Sequence, residues 1–158
     1  MSELITVSPL VVSAVKHLRL HLAELDNLAQ KLCKGHLDFV IEINKKKNWD
    51  DKSLLYAQSR LRDNTLTVTW YEVRWYGSKA LKTRRMVKKV IVKPKNKYGY
   101  TMATLMNKAQ PWEADMVSEV ESALIPIRRD VYFVAGALTS LNKLIGCAEK
   151  VEDAGDSE

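Results

Sequence analysis

The sequence predicts an α+β protein in which two long helices pack with a small antiparallel β-sheet. Three observations carry that expectation. Apolar residues recur at spacings of three and four in two long stretches, one twelve-residue run is rich in β-branched and aromatic residues, and turn signals flank that run. With 158 residues and 46% hydrophobic composition, the chain has the size of one ordinary domain and can close a core without disulfides or metal. Residues 1–148 are expected to form that domain, and residues 149–158 an acidic disordered tail.

Ser8-Pro9 reads as a helix start: serine can cap free N–H groups, and proline at the first helical position has no N–H to leave unpaired. Val11, Val15, Leu18, Leu22, Leu25, Ala29 and Leu32 follow at heptad spacing, and Gly35 reads as a stop, so a helix is predicted over residues 9–34. Such a seam requires a partner helix, from the same chain or from a second copy in a homodimer. Leu37, Phe39, Ile41 and Ile43 alternate with polar residues as in a strand, and residues 45–48 read as a solvated turn. Residues 48–51 could cap a short helix. Leu55 to Leu61 alternates again and runs into Arg62-Asp63-Asn64-Thr65, a hairpin turn.

Thr65 to Tyr76 is the strongest strand signal. Leu66, Val68 and Trp70 share one face while Val73 and Trp75 fall on the other, so either both faces are partly covered or a bulge shifts the register. Gly77-Ser78 turns the chain, and a second strand is predicted over residues 81–93. Its Met86, Val90 and Val92 would face the core, with Arg85, Lys89 and Lys93 opposite, and Pro94 would end it. Pro111, followed by Glu113 and Asp115, opens a second long helix with a seam at Met116, Val120, Ala123, Ile127, Val131, Val134, Leu138, Leu141 and Ile145. Pro126 is expected to kink or divide it.

Net charge is +6, unevenly placed. Residues 149–158 hold five acids and one lysine, a net of −4, so residues 1–148 carry +10. Between Glu72 and Glu113 there is no acid but eleven bases: Arg74, Lys79, Lys82, Arg84, Arg85, Lys88, Lys89, Lys93, Lys95, Lys97 and Lys108. A field of one sign attracts polyanions, and a merely solvated face usually mixes signs. The expected partner is nucleic acid, held by Arg74, Lys79, Lys82, Arg84, Arg85, Lys88, Lys89, Lys93, Lys95, Lys97 and Tyr98 on a basic hairpin and the loop after it. A two-stranded ribbon suits a duplex major groove, and the arginine fork suits guanine, which singles out Arg84 and Arg85. Adjacent strand residues face opposite ways, so only one of that pair can join Lys82 and Lys88 or Lys89. Tyr71, Trp75, Tyr76, Tyr98 and Tyr100 interleave with these bases as stacking rings do, although Trp70 and Trp75 suit packing against helices, leaving Tyr98 and Tyr100 more open.

Other chemistry finds little support. His17 and His21, with Cys33 and His36, could be drawn as a zinc set, but the two pairs lie some 18 Å apart along a helix, and solvent-exposed histidines are expected. Asp50, Asp51, Glu72, Glu119 and Glu121 form no metal-dependent nuclease motif, no P-loop or GxGxxG is present, and no nucleophile has a partnered base. No enzyme activity, cofactor or metal is expected. Cys33 and Cys147 read as reduced, buried thiols. Met1–Val7 lacks the features of a signal peptide, and no apolar run is expected to approach the roughly 18 to 20 residues that span a bilayer. A cytoplasmic protein without membrane contact is the expectation.

The order of features also resembles a known family. A strand ending W-Y-x-V-R-W (Trp70 to Trp75), a basic return strand, a tyrosine-containing linker, A-Q-P-W-E (Ala109 to Glu113) opening a long helix, then Glu119, Glu121 and Ile127-Arg128 are similar to the conjugative mobilisation protein MobI family of integrative conjugative elements and A/C-type plasmids. The likeness covers residues 66–128. It implies an accessory protein that acts at a transfer origin and helps a relaxase assemble on DNA, and it supplies no catalytic residues. A relaxase's own tyrosine and histidine triad is absent from the sequence.

Overall fold

The computed structural model describes residues 7–155, with side chains through residue 150. Helix α1 (Pro9–Asn44) leads through a 3-10 turn (Trp49–Asp51) into strands β1 (Leu55–Arg62), β2 (Thr65–Tyr76) and β3 (Arg85–Val90). A short helix α2 (Met102–Met106) and a second 3-10 turn (Pro111–Glu113) precede the long helix α3 (Ala114–Gly155). The sheet is antiparallel in the order β1-β2-β3, which leaves β3 as an edge. The α+β class holds.

Ser8 caps α1 as its sequence predicts, its hydroxyl accepting from the Leu10 N–H. The helix does not stop at Gly35, however, and residues 36–43 are helical rather than a strand. Cys33, His36 and Val40 lie three and four apart and are all buried, so the helical period governs this stretch and the alternation of Leu37, Phe39, Ile41 and Ile43 is incidental. Gly35 is exposed on the far side, where its missing side chain meets nothing.

The β1–β2 hairpin follows its sequence signals. Asp63 takes the positive φ (48°) of the turn, and the register sets Leu55, Ala57, Ser59 and Leu61 opposite Glu72, Trp70, Val68 and Leu66. These form the face covered by α1 and α3. The core joins Leu55, Ala57, Leu66, Val68 and Trp70 to Val15, Leu22, Leu25, Ala29 and Cys33 of α1 and to Val117, Val120, Leu124, Ile127, Val131, Val134 and Leu138 of α3. The α1 stripe thus finds its partner within the chain. Leu124 and Val117, outside the predicted α3 seam, are fully buried, because the first turns of α3 face the sheet as well as α1.

A further expectation is corrected. Strand β3 spans six residues, not thirteen, and every one is exposed. Met86, Val90 and Val92 are 49%, 53% and 82% accessible, and Ile91 alone of this segment enters the core. Of the two effects expected of Pro126, division does not occur, and α3 continues through it; Pro126 and Ser122 both lie on the exposed side, where water can satisfy the carbonyl that proline leaves unpaired. Of the acidic segment, residues 149–155 continue α3 as helix and residues 156–158 lie outside the described residues, as do residues 1–6 of the N-terminal segment read for a signal peptide. By length and composition alone, and against the expectation that no apolar run approaches such a length, residues 111–150 include a helical stretch apolar enough to cross a membrane.

The cysteines differ from one another. Cys33 is buried, and burial pushes its thiol pKa up to about 11, whereas Cys147 is exposed, contrary to the expectation for both. A thiol-reactive probe at neutral pH is therefore expected to label Cys147 quickly and Cys33 only on unfolding. Mass spectrometry of the native and denatured protein checks this, and equal labelling of both in the native state would contradict the burial.

Candidate nucleic-acid interface

Two buried polar clusters fix the sheet on the helices, and both are built from residues of the W-Y-x-V-R-W, A-Q-P-W-E and I-R motifs. Glu121, fully buried on α3, accepts from Trp70 Nε1 at 2.7 Å, from the Tyr100 N–H at 2.8 Å and from both terminal nitrogens of Arg128 at 2.8 and 3.1 Å. Arg128 also donates to the carbonyls of Val68 and Tyr98, both at 3.1 Å, and lies over the Tyr100 ring. All four carboxylate lone-pair positions are thus used, which is how a charge survives burial. Gly99 lets the linker pass this close: a Cβ there would stand 2.8 Å from the Ile125 side chain.

In the second cluster, buried Glu113 accepts from Ser53 Oγ at 2.7 Å and from the Gln110 N–H at 2.9 Å. Gln110 donates to the carbonyls of Asp50 and Lys52, and Trp112 Nε1 to that of Asp51. His36 is fully buried beside this carboxylate rather than solvent-exposed, its ring edge-on to Trp70. Its Nε2 is 3.6 Å from Glu113 Oε2, beyond hydrogen-bond reach. These motif residues are therefore architectural: they pin the turn before β1, the centre of β2 and the linker after β3 to one helix.

What they position is the uncovered side of the sheet. Register places Tyr56, Gln58 and Arg60 of β1, Thr69, Tyr71, Val73 and Trp75 of β2, and Met86, Lys88 and Val90 of β3 on the outer face, away from the helices. Met86 and Val90, expected to face the core, thus lie on the outer face with Lys88. Arg85, Val87 and Lys89 share the other face with Tyr76, Arg74 and Glu72. Neither helix reaches far enough to cover them, so both faces of β3 are solvated.

The predicted contact residues fall into three groups. Lys79, Lys82, Arg84, Arg85, Lys88 and Lys89 are exposed around the β2–β3 turn and along the edge, with no acidic partner among the described residues. Gly77 (φ 82°) and Lys82 (φ 54°) shape that turn. Lys93, Lys95, Lys97 and Tyr98 lie beyond the other end of β3. There Lys93 turns back to the carbonyls of Pro94 and Lys97, and the Tyr98 ring meets Tyr132 at 5.9 Å. Arg74 stands apart, ion-paired with Glu72 at 3.3 Å. Lys108 is spent on the same carboxylate at 3.0 Å; with Arg74 beside it, this bond holds the Glu72 pKa below the usual carboxylate range.

Aromatic placement departs from expectation. Trp70 is core, but Trp75 is 46% exposed, and Tyr100 is buried with its hydroxyl accepting from the Trp70 N–H. The Arg84 guanidinium sits 4.2 Å from the ring centre of Trp49 and 5.0 Å from that of Trp75. Lys88 Nζ lies 4.1 Å from the ring centre of Tyr56 and 5.9 Å from that of Tyr71. Trp49 and Tyr56 are the site residues that sequence reasoning misses. Neither lies in the basic block, and only the fold of the 3-10 turn against β2 brings Trp49 to Trp75.

Comparison with curated proteins and with solved structures gives no match. Residues 25–142 match the MobI protein family, extending the likeness back from the sheet into α1. That match covers most of the chain, and the protein belongs to the MobI family.

Proposed function

We propose that this mobilisation-related protein is a cytoplasmic, non-enzymatic DNA-binding accessory factor that acts at a conjugative transfer origin, helping the relaxosome assemble or recruiting the relaxase. The observation that carries the reading is the exposed set Lys79, Lys82, Arg84, Arg85, Lys88 and Lys89, for which no carboxylate stands as a partner among the described residues. Cations that the fold leaves without counter-charges are suited to phosphates, and gain affinity by releasing condensed counterions. Membership of a mobilisation family supports DNA as the polyanion.

Mobility-shift titrations with the element's own transfer origin, run against unrelated duplex and RNA at several salt concentrations, test this. If all six cations neutralise phosphates, the slope of log affinity against log salt is expected to be roughly −5, with the origin fragment preferred. Weak affinity without preference would mark a protein adaptor instead, and preference for RNA would redirect the assignment.

A further inference from the structure

The outer face of the sheet presents cations and rings together, and the two serve different parts of a nucleic acid. Phosphates require only charge. Base stacking requires ring faces, and a duplex keeps the faces of its bases covered by their neighbours. Trp49 and Trp75 are 55% and 46% exposed and tilted toward each other at 6.5 Å. They border a groove of about 1020 Å³ that runs from Leu37 and Ile41 at the end of α1 to Lys52, Tyr56, Met86 and Lys88. Half-exposed tryptophans contribute less to a core than buried ones, and over these two lie the Arg84 side chain and, at Trp49, Lys52 as well. Four residues back along the same face of β2, roughly 13 Å at the rise of a strand, Tyr71 and its neighbour Tyr56 repeat the arrangement under Lys88. Two aromatic pairs, each capped by its own cation, thus lie in line on one face.

We infer that this face binds single-stranded DNA, its unpaired bases stacking on Trp49 and Trp75 while Arg84 and Lys88 move from the rings to bases and phosphates. The inference rests on the DNA-binding reading above and narrows it from the duplex that the basic ribbon alone suggests. In the free protein the cations shield the rings. A base brings a π-face of its own, against which a guanidinium plane can stack, and the phosphate beside it offers the counter-charge that Arg84 and Lys88 lack.

Fluorescence anisotropy of the full chain with oligo-dT, an abasic strand of equal length, a duplex and oligo-U tests the assignment. Oligo-dT is expected to bind more tightly than the abasic strand, which carries the same phosphates without bases, and more tightly than the duplex. Trp75→Ala and Trp49→Ala should each weaken oligo-dT by roughly 5-fold or more while leaving the abasic strand and duplex within about twofold. Trp75→Phe, which retains a ring and guards against a folding defect, should keep most of the affinity. Oligo-dT no tighter than the abasic strand, or unaffected by Trp75→Ala, would overturn the stacking site, and tighter binding of oligo-U would overturn DNA as its occupant. Duplex binding without a stacking contribution would defeat this inference alone, whereas failure of every oligonucleotide to bind would defeat the DNA-binding reading itself.

Discussion

Glu121→Ala is expected to lower the unfolding free energy by about 3–5 kcal/mol, the range for removing one partner of a buried ion pair. The carboxylate is wholly enclosed, and the Arg128 side chain is only 8% exposed. Without Glu121 the guanidinium keeps its two carbonyl acceptors, Val68 and Tyr98, but no counter-charge, while Trp70 Nε1 and the Tyr100 N–H lose their acceptor. Glu121→Gln should fare little better. All four of its donors converge on the two carboxylate oxygens, so an amide NH2 in either place meets a donor with a donor. Urea unfolding followed by circular dichroism measures the loss, and the paired variant Glu121→Leu with Arg128→Met should recover part of it, since an apolar pair leaves no buried charge. A loss below about 1 kcal/mol for Glu121→Ala would mean that the pair is not closed as described.

Reversing Arg84, Arg85, Lys88 and Lys89 to glutamate should have the larger effect on binding. Four phosphate contacts fewer flatten the dependence of log affinity on log salt by roughly 3 to 4, and the introduced acids repel the strand in addition, so DNA binding at physiological salt should be abolished. All four side chains are exposed, and the core does not include them, so the unfolding midpoint should hardly move. Splitting the set sharpens the result. Lys88 lies on the outer face with Trp75, while Arg85 and Lys89 lie on the other face with Tyr76 and Glu72. Reversing Lys88 with Arg84 should therefore cost more on single strands than reversing Arg85 with Lys89. Unchanged affinity in the fourfold variant would remove β3 from the interface.

The chain announces its fold where local chemistry and tertiary packing agree. Thr65–Tyr76 forms the predicted strand over its whole length, because its β-branched and aromatic residues suit a sheet with one face buried under Trp70. The first helix is announced by Ser8-Pro9, but its end is not. Gly35 carries the usual stop signal at a position where the helix continues, because Cys33, His36 and Val40 bury one stripe and that burial outweighs a glycine's cost of about 1 kcal/mol. Strand β3 is over-read for the opposite reason: its alternating apolar residues promise a core face, yet Met86 and Val90 point away from the helices, and on the helix side both helices lie across β1 and β2 and leave Val87 uncovered. The basic cluster is legible because charge is counted residue by residue. The ring partners are not, since Trp49 and Trp75 are 26 positions apart and meet only through tertiary structure. Glu121 and Glu113 look like ordinary helix acids in the sequence, and nothing local distinguishes them from exposed Glu119.

An edge strand with free backbone donors and acceptors invites another strand to pair with it, and β3 is such an edge. Its cations govern that invitation. Arg85, Lys88 and Lys89 put like charges on both faces, so a second β3 approaching edge to edge meets repulsion whichever way it lies. These charges therefore oppose edge-to-edge pairing of a strand that is open and partly apolar. Neutral apolar replacements at these positions would remove that gatekeeping and leave Met86, Val87, Val90 and Val92 as a sticky segment, whereas glutamate replacements restore it with the opposite sign.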